Sequence, residues 1–319
     1  MQFLRSHRLY GIVLVVGIVL VVLGLLSLPH WASRYWILVI LLFSLNLALS
    51  QMWNLLAGYS GLISLGQQAF IGLGGYALGV FSIYYGFPIS LSILIGGIIS
   101  VLFALLISAP IFRMRGVYFA IGSWTVAEVL RILFSNWKYV GYGMGLFIKP
   151  AYKLSFNTIY YTALVVGIAS VVLVYFILRS KLGLGLMAIR DEETASETLG
   201  VDIFRCKLNC FLISAGMTGI VSGVLYLHNI FIQPYSAFGI DWTVRLVFIT
   251  IIGGIGTIEG PIIGSFLYVF LHQWLSEYPS VSLLILGGIA IGVILVAPRG
   301  IMGTIQEKLG FEILSPRRK

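Results

Sequence analysis

Apolar runs of about 20 residues, parted by short polar connections, organise almost the whole chain, and a run of that length is what an α-helix needs to cross the hydrocarbon core of a bilayer. The pattern predicts spans at about residues 9–28, 35–53, 62–85, 89–109, 117–134, 159–178, 208–230 and 281–297. Thr243 to Leu275 fits neither one ordinary span nor two full ones. Its middle, "GGIGTIEGP" (Gly253 to Pro261), is a run of helix breakers. An earlier stretch, "GYSGLISLGQQAFIGLGGYALG" (Gly58 to Gly79), has the same character, with Ser60, Ser64, Gln67 and Gln68 set among glycines inside a span.

Composition removes the soluble alternative. At 59% hydrophobic and 10% charged residues, the chain holds more apolar surface than a water-soluble core of ordinary size can bury. The expected fold class is all-α, a polytopic membrane helix bundle of eight spans plus a Gly-broken hairpin, or ten spans, in two pseudo-repeated halves. The first run follows Arg5, His7 and Arg8 as a signal peptide would. It is too long for an h-region, however, and no small-x-small cleavage site follows Pro29 and His30, so it reads as a retained span.

The formal charge of +9 reports orientation rather than nucleic-acid binding, because most basic residues sit in short connections beside spans. With the N-terminus inside, the inner set holds Arg5, Arg8, Arg113, Arg115, Arg179, Lys181, Arg190, Arg205 and Lys207, and the outer set only Arg34, Lys138, Lys149 and Lys153. Thr243 to Leu275 must then cross an even number of times to keep the basic tail inside. Both termini are expected in the cytoplasm.

Broken backbone at membrane depth is tolerated only where it is buried in protein or lines a wet cavity. Two Gly-interrupted segments, one in each half, are therefore the pattern of a transporter with its pathway between related halves. The pathway candidates are Gly61, Ser64, Gln67, Gln68, Gly253, Gly254, Gly256 and Glu259. Close helix packing through small residues is the plainer account of the same glycines. Glu128 with Arg131 and Asp241 with Arg245 have the spacing of mutually neutralising pairs. His228 and His272 read as packed or interfacial histidines. Cys206 and Cys210 read as free thiols, since no second ligand pair accompanies them, and no metal site is expected. The aromatic residues among Ser135 to Thr158 fit an interfacial belt, with docking of an outer partner as the alternative.

"AIRDEETASETLGVDIFRCK" (Ala188 to Lys207) concentrates charge in a chain that otherwise avoids it. The interval from Arg179 to Lys207 is longer than a connecting turn requires. Gly183 and Gly185 are expected to break away from the preceding span, the acids of Asp191 to Glu193 to open a short helix over Asp191 to Leu199, and Gly200 to stop it in a left-handed conformation. With Ala188, Ile189, Ala195 and Leu199 as its apolar residues, such a helix has little to bury against a membrane. Its natural partner is another protein.

"SKLGLGLMAIRDEETASETLGVD" (Ser180 to Asp202) resembles the cytoplasmic loop of the LivM-type permeases, the inner-membrane subunits of branched-chain amino acid ABC importers. "GYSGLISLGQQAFIGLGGY" (Gly58 to Tyr76), "RMRGVYFAIGSWTVAEVLR" (Arg113 to Arg131), "DWTVRLVFITIIGGIGTIEGPIIGS" (Asp241 to Ser265) and "APRGIMG" (Ala297 to Gly303) resemble the family's blocks in the family's order. Gln68 departs where a small residue is usual and Leu184 where a basic one is frequent. The resemblance covers roughly residues 40 to 303. It implies one transmembrane permease domain over 1–303, with a cytoplasmic coupling loop at 179–207 and a basic cytoplasmic tail at 304–319.

The resemblance also implies partners: a second homologous permease, two cytoplasmic ATPase subunits, an extracytoplasmic substrate-binding protein and the lipid bilayer of a bacterial or archaeal inner membrane. The ATPase-docking residues would be Ala188, Ile189, Arg190, Asp191, Glu192, Glu193, Ala195, Leu199 and Gly200. No G-x-x-x-x-G-K-[ST] occurs in the sequence, so ATP and Mg are expected on the partner ATPases and no cofactor or catalytic residue on this chain. An ion-driven secondary transporter is the alternative, which the scarcity of intramembrane acids opposes. An intramembrane serine protease built on "GYSG" (Gly58 to Gly61) is a remoter one, needing a histidine base at the same depth.

Overall fold

A computed structural model of the chain describes Gly17, residues 20–275 and residues 279–309. Half of the predicted span at 9–28 falls outside the described residues, as does most of the 304–319 tail. The described part of that first stretch ends in an apolar helix, Leu20–His30. It is tied to the bundle where the Tyr160 hydroxyl donates to the Leu25 carbonyl at 2.6 Å.

Among the described residues the fold is all-α apart from one two-residue strand pair. The helices are α1 (Arg34–Asn54), α2 (Gln67–Ile83), α3 (Ile89–Ile111), α4 (Val117–Asn136), α5 (Phe156–Arg179), α6 (Lys181–Asp191), α7 (Glu193–Thr198), α8 (Ile203–Asn229), α9 (Asp241–Gly253), α10 (Gly260–Trp274), α11 (Pro279–Val296) and α12 (Gly300–Leu309). Six helical segments among the described residues are long and apolar enough to cross a membrane. The protein is a multi-pass membrane protein.

Helices α1 and α8 form the centre of the bundle and are buried through most of their length. Leu41, Leu45, Trp53, Tyr76, Val221 and Tyr226 belong to one continuous core. Small residues let α2, α3 and α8 approach closely: a Cβ on Gly219 would stand 2.7 Å from the Gly96 carbonyl oxygen, and one on Gly96 would lie 3.0 Å from the Gly74 carbonyl oxygen. In lipid, where the hydrophobic effect does not drive helices together, such close packing is a main source of association.

Three expectations need correction. The span expected at 62–85 begins only at Gln67, because residues 61–66 are irregular. The charged segment is two helices, since Glu192 is extended (φ −158°, ψ 109°) between α6 and α7. Asp191 therefore closes α6 rather than opening a helix, and Glu193 is the acid in the first turn of α7. Finally, Gly183 and Gly185 do not break the chain, which turns at Ser180 (ψ 172°). They are buried inside α6, where a Cβ on Gly183 would collide with the Leu178 backbone and one on Gly185 would press on the Cys206 sulfur. Their missing side chains let α6 fold back on α5 and α8. The stop at Gly200 is left-handed as expected, with φ +83°.

At the opposite end of the bundle, residues 138–155 form short 3₁₀ turns. β1 (Leu146–Phe147) pairs antiparallel with β2 (Phe231–Ile232), so connections from the two halves are knitted together. Met144, Phe147, Tyr152 and Tyr235 project from this end.

Candidate functional site

The two Gly-interrupted segments meet each other. Helix α1 widens into a π-helical turn at Leu55–Tyr59 before the irregular 61–66 segment, while α9 and α10 form a tight antiparallel hairpin around 254–259. With the short helix Pro234–Ala237 ahead of it, α9 completes a 20-residue segment long enough to cross, whereas α10, at 15 residues, is about 23 Å long and short of a full hydrocarbon thickness of about 30 Å. Gly58 and Gly256 touch where the breaks converge: a Cβ on Gly58 would lie 2.6 Å from the Gly256 nitrogen. Gly254 (φ +126°) and Gly256 (φ +76°) hold turns that L side chains rarely adopt.

Side-chain amides of α1 satisfy the backbone that this break exposes. Asn54 donates to the Thr257 carbonyl at 2.8 Å and accepts from the Gly256 N–H at 2.9 Å. Gln51 donates to the Ile258 carbonyl at 2.7 Å. The first break is satisfied likewise, by Trp53 donating to the Ser64 carbonyl at 2.8 Å and by the Ser123 hydroxyl accepting from the Leu65 N–H at 3.0 Å. Internal satisfaction of this kind is what lets irregular backbone persist within a bilayer.

Of the predicted pathway residues, Gly61, Gly254 and Gly256 lie at this junction, and Gly253 packs against the Gly260 backbone at its edge. Glu259 is buried at the start of α10 and accepts from Gln306 at 3.4 Å. Ser64, Gln67 and Gln68 are buried deeper. Gln67 donates to Thr218 at 2.6 Å and to Ser214 at 3.1 Å, and Gln68 accepts from Thr243. The Gln67 carbonyl oxygen, the Gln68 amide nitrogen and the Thr250 hydroxyl have no hydrogen-bond partner among the described residues, leaving unspent polar capacity inside the bundle.

The charged segment reaches the same junction through one residue. Arg190 donates from Nη1 to the Gly58 carbonyl at 2.8 Å, and a Cβ on Gly256 would stand 3.0 Å from that nitrogen. Its other terminal nitrogen pairs with Asp191 at 3.2 Å. Beside it lies a cavity of about 290 Å³ whose lining includes Gly61, Arg115, Arg190, Glu192, Glu193 and Lys207. Lys207 closes one side in an ion pair with Glu193 at 2.9 Å.

The remaining docking candidates divide by face. Ile189 is buried and Ala188 is half-buried, whereas Glu192, Ala195, Gly200 and Leu199 are exposed, Leu199 at 81%. Sequence reasoning missed Gln51 and Asn54. Their signal was present as two amides three apart in the apolar run of α1, "SQMWN".

The other polar pairs differ from one another. Arg131 Nε donates to Glu128 at 2.9 Å, as expected, with the guanidinium over the Tyr235 ring. Arg245 instead lies over Trp242 at 4.5 Å and Tyr268 at 5.4 Å, and no ion pair joins it to Asp241 among the described residues. Cys206 and Cys210 are free thiols. Ser60 donates to the Leu56 carbonyl at 2.7 Å within its own turn. His228 packs on Phe156, roughly 27 Å along α8 from Cys210, which touches the same π-helical turn, and His272 packs on Tyr268 roughly 18 Å along α10 from Gly260. Among the described residues no cluster of His, Cys, Asp or Glu could hold a metal ion.

The model of the branched-chain amino acid transport system permease component family matches residues 32–297. The chain is 25% identical over 313 residues to the high-affinity branched-chain amino acid transport system permease protein LivM of Escherichia coli, covering 88% of this chain and 73% of that protein. It is 25% identical to LivM of Salmonella typhimurium, covering 80% and 67%. It is 26% identical to a probable branched-chain amino acid transport permease protein LivH of Methanocaldococcus jannaschii, covering 48% and 51%. No solved structure matches.

Proposed function

The chain belongs to the branched-chain amino acid transport permease family, and on that premise we propose that it is a transmembrane subunit of an ABC importer for branched-chain or related hydrophobic amino acids. Separate ATPases bind ATP and Mg and drive it, a second homologous permease completes the membrane unit, and an extracytoplasmic binding protein delivers substrate to the end carrying Met144, Phe147 and Tyr152. The domain runs over 1–303 in an inner membrane with both termini cytoplasmic, and the tail follows at 304–319. Eight spans and the α9–α10 hairpin, in two related halves, satisfy the distribution of Lys and Arg.

The observation that carries this reading is the hydrogen bond from Arg190 to Gly58 beside Gly256. The segment 179–207 presents Glu192, Ala195, Leu199 and Gly200 outward to an ATPase and Arg190 inward to the junction of the two breaks. A push on the outer face is thereby delivered to the backbone at the junction. The breaks, with Ser64, Gln67, Gln68 and Glu259, form the pathway in its closed arrangement.

Glu193 is tied internally to Lys207, so the sharper test of docking alters Glu192 and Leu199. Losing a paired charge in a partly desolvated interface costs roughly 2 to 5 kcal/mol, against about 0 to 1 kcal/mol for a solvated surface charge. Glu192→Lys with Leu199→Asp is expected to leave the permease inserted and paired with its membrane partner while ATPase recovery in detergent pull-down and uptake in vesicles are lost. Full ATPase recovery with normal uptake would refute the docking assignment.

A further inference from the structure

Arg113 and Arg115 have no part in the function proposed above. They flank Met114 in the connection from α3 to α4, and neither forms an ion pair among the described residues. The two helices diverge from this connection and leave between them an open cavity of about 800 Å³. Ile107, Ile111, Ile121 and Val126 line its length, and Tyr118 and the two arginines stand where the helices join. From Val117 to Val126 the groove runs about 13 Å along α4. Gly122 keeps one wall low, with the Met114 sulfur lying over it.

An apolar groove on the outside of a membrane bundle fills with hydrocarbon, while two exposed guanidinium groups at its mouth favour anionic oxygen. Phosphate satisfies guanidinium donors with charge-assisted, often bidentate, hydrogen bonds. One molecule meets both demands. We propose that the α3–α4 groove is a binding site for a single anionic phospholipid, its phosphate held by Arg113 and Arg115 and an acyl chain lying along Ile107, Ile121 and Val126. Tyr118, at 77% exposure, is placed at headgroup level, where amphipathic rings concentrate. Arg115 and Met114 also line the cavity that holds Arg190 and Glu193, so a bound headgroup adjoins the charged segment. The assignment rests on membrane insertion alone and not on the transport reading.

The test extracts the permease with its membrane partners, reconstitutes it in nanodiscs of phosphatidylcholine with and without phosphatidylglycerol, and counts retained lipid by native mass spectrometry. The wild type is expected to retain phosphatidylglycerol in preference to phosphatidylcholine. Arg113→Gln with Arg115→Gln should lower that retention about 30-fold, since each basic residue near an anionic lipid surface contributes about a factor of five. Ile121→Trp fills the groove without touching its charge and should also displace the lipid, which keeps the proposal testable if the double variant fails to insert. Equal retention of the two lipids, undiminished phosphatidylglycerol in Ile121→Trp, or a crosslink from Ile121→Cys to a second polypeptide in place of lipid would overturn it.

Discussion

Removing the Arg190 guanidinium should uncouple the charged segment from the bundle without detaching anything else. In Arg190→Ala, the hydrogen bond to the Gly58 carbonyl and the pair with Asp191 are both lost. A hydrogen bond from a charged donor contributes about 1.5 to 3 kcal/mol, and the Arg190 side chain is 40% exposed, which places the loss near the lower end. The Arg190–Asp191 pair adds little, because the Asp191 side chain is 72% exposed and solvent screens the pair. About 1.5 kcal/mol corresponds to roughly a tenfold shift in the equilibrium between seated and unseated segment. Amide hydrogen exchange over residues 181–199 should therefore quicken about tenfold. The same variant in proteoliposomes with its ATPases should hydrolyse ATP but import less substrate per ATP. Arg190→Lys keeps the charge but not the planar fork, and it should fall between the two. Unchanged exchange together with unchanged uptake per ATP in Arg190→Ala would show that the contact transmits nothing.

Two further variants probe the junction. Gly254→Leu and Gly256→Leu each force a side chain onto a left-handed residue, and at Gly256 also against Arg190 and Gly58, so transport should fail while the subunits still assemble; normal uptake in both would remove these turns from the mechanism. Asn54→Leu leaves the Gly256 N–H and the Thr257 carbonyl without their partner, at about 1 to 3 kcal/mol each, and should lower the thermal midpoint of the purified protein; an unchanged midpoint would mean that water or another group replaces the amide.

Hydrophobic run length was enough to place α3, α4, α5 and α8 within a few residues, because a bilayer imposes one length and one periodicity on every crossing helix. The two breaks were legible for a related reason, since glycines and a buried acid inside apolar sequence are costly unless something compensates them. What compensates them was not legible. Asn54 and Thr257 are more than 200 positions apart, and no local pattern announces that one holds the other. The turn at Ser180 was misassigned to Gly183 and Gly185 because glycine marks both a flexible turn and a site of closest packing. Only the contacts with Leu178 and Cys206 distinguish the two. The sequence places Arg190 among the outward docking residues of the charged segment, and its inward reach depends on α6 folding back against α5.

This arrangement explains why the most charged segment of a membrane protein lies against its least regular backbone. A continuous helix moves as one body, because displacing one part of it relative to the rest would break the backbone hydrogen bonds that join them. A break whose N–H and C=O groups are held by side-chain amides can exchange those partners locally, at the cost of a few hydrogen bonds, and so can adopt a second arrangement. The groups for such an exchange are within the bundle: the Gln67 and Gln51 carbonyl oxygens, the Gln68 amide nitrogen and the Thr250 hydroxyl have no partner among the described residues. Arg190 holds the Gly58 carbonyl at the turn where the widened end of α1 meets the α9–α10 hairpin. Moving α6 by the length of one hydrogen bond would release Gly58, and Gly256 beside it would lose the group that confines it. On the proposed function, a partner that moves the outer face of the segment needs only that displacement to act on both breaks at once.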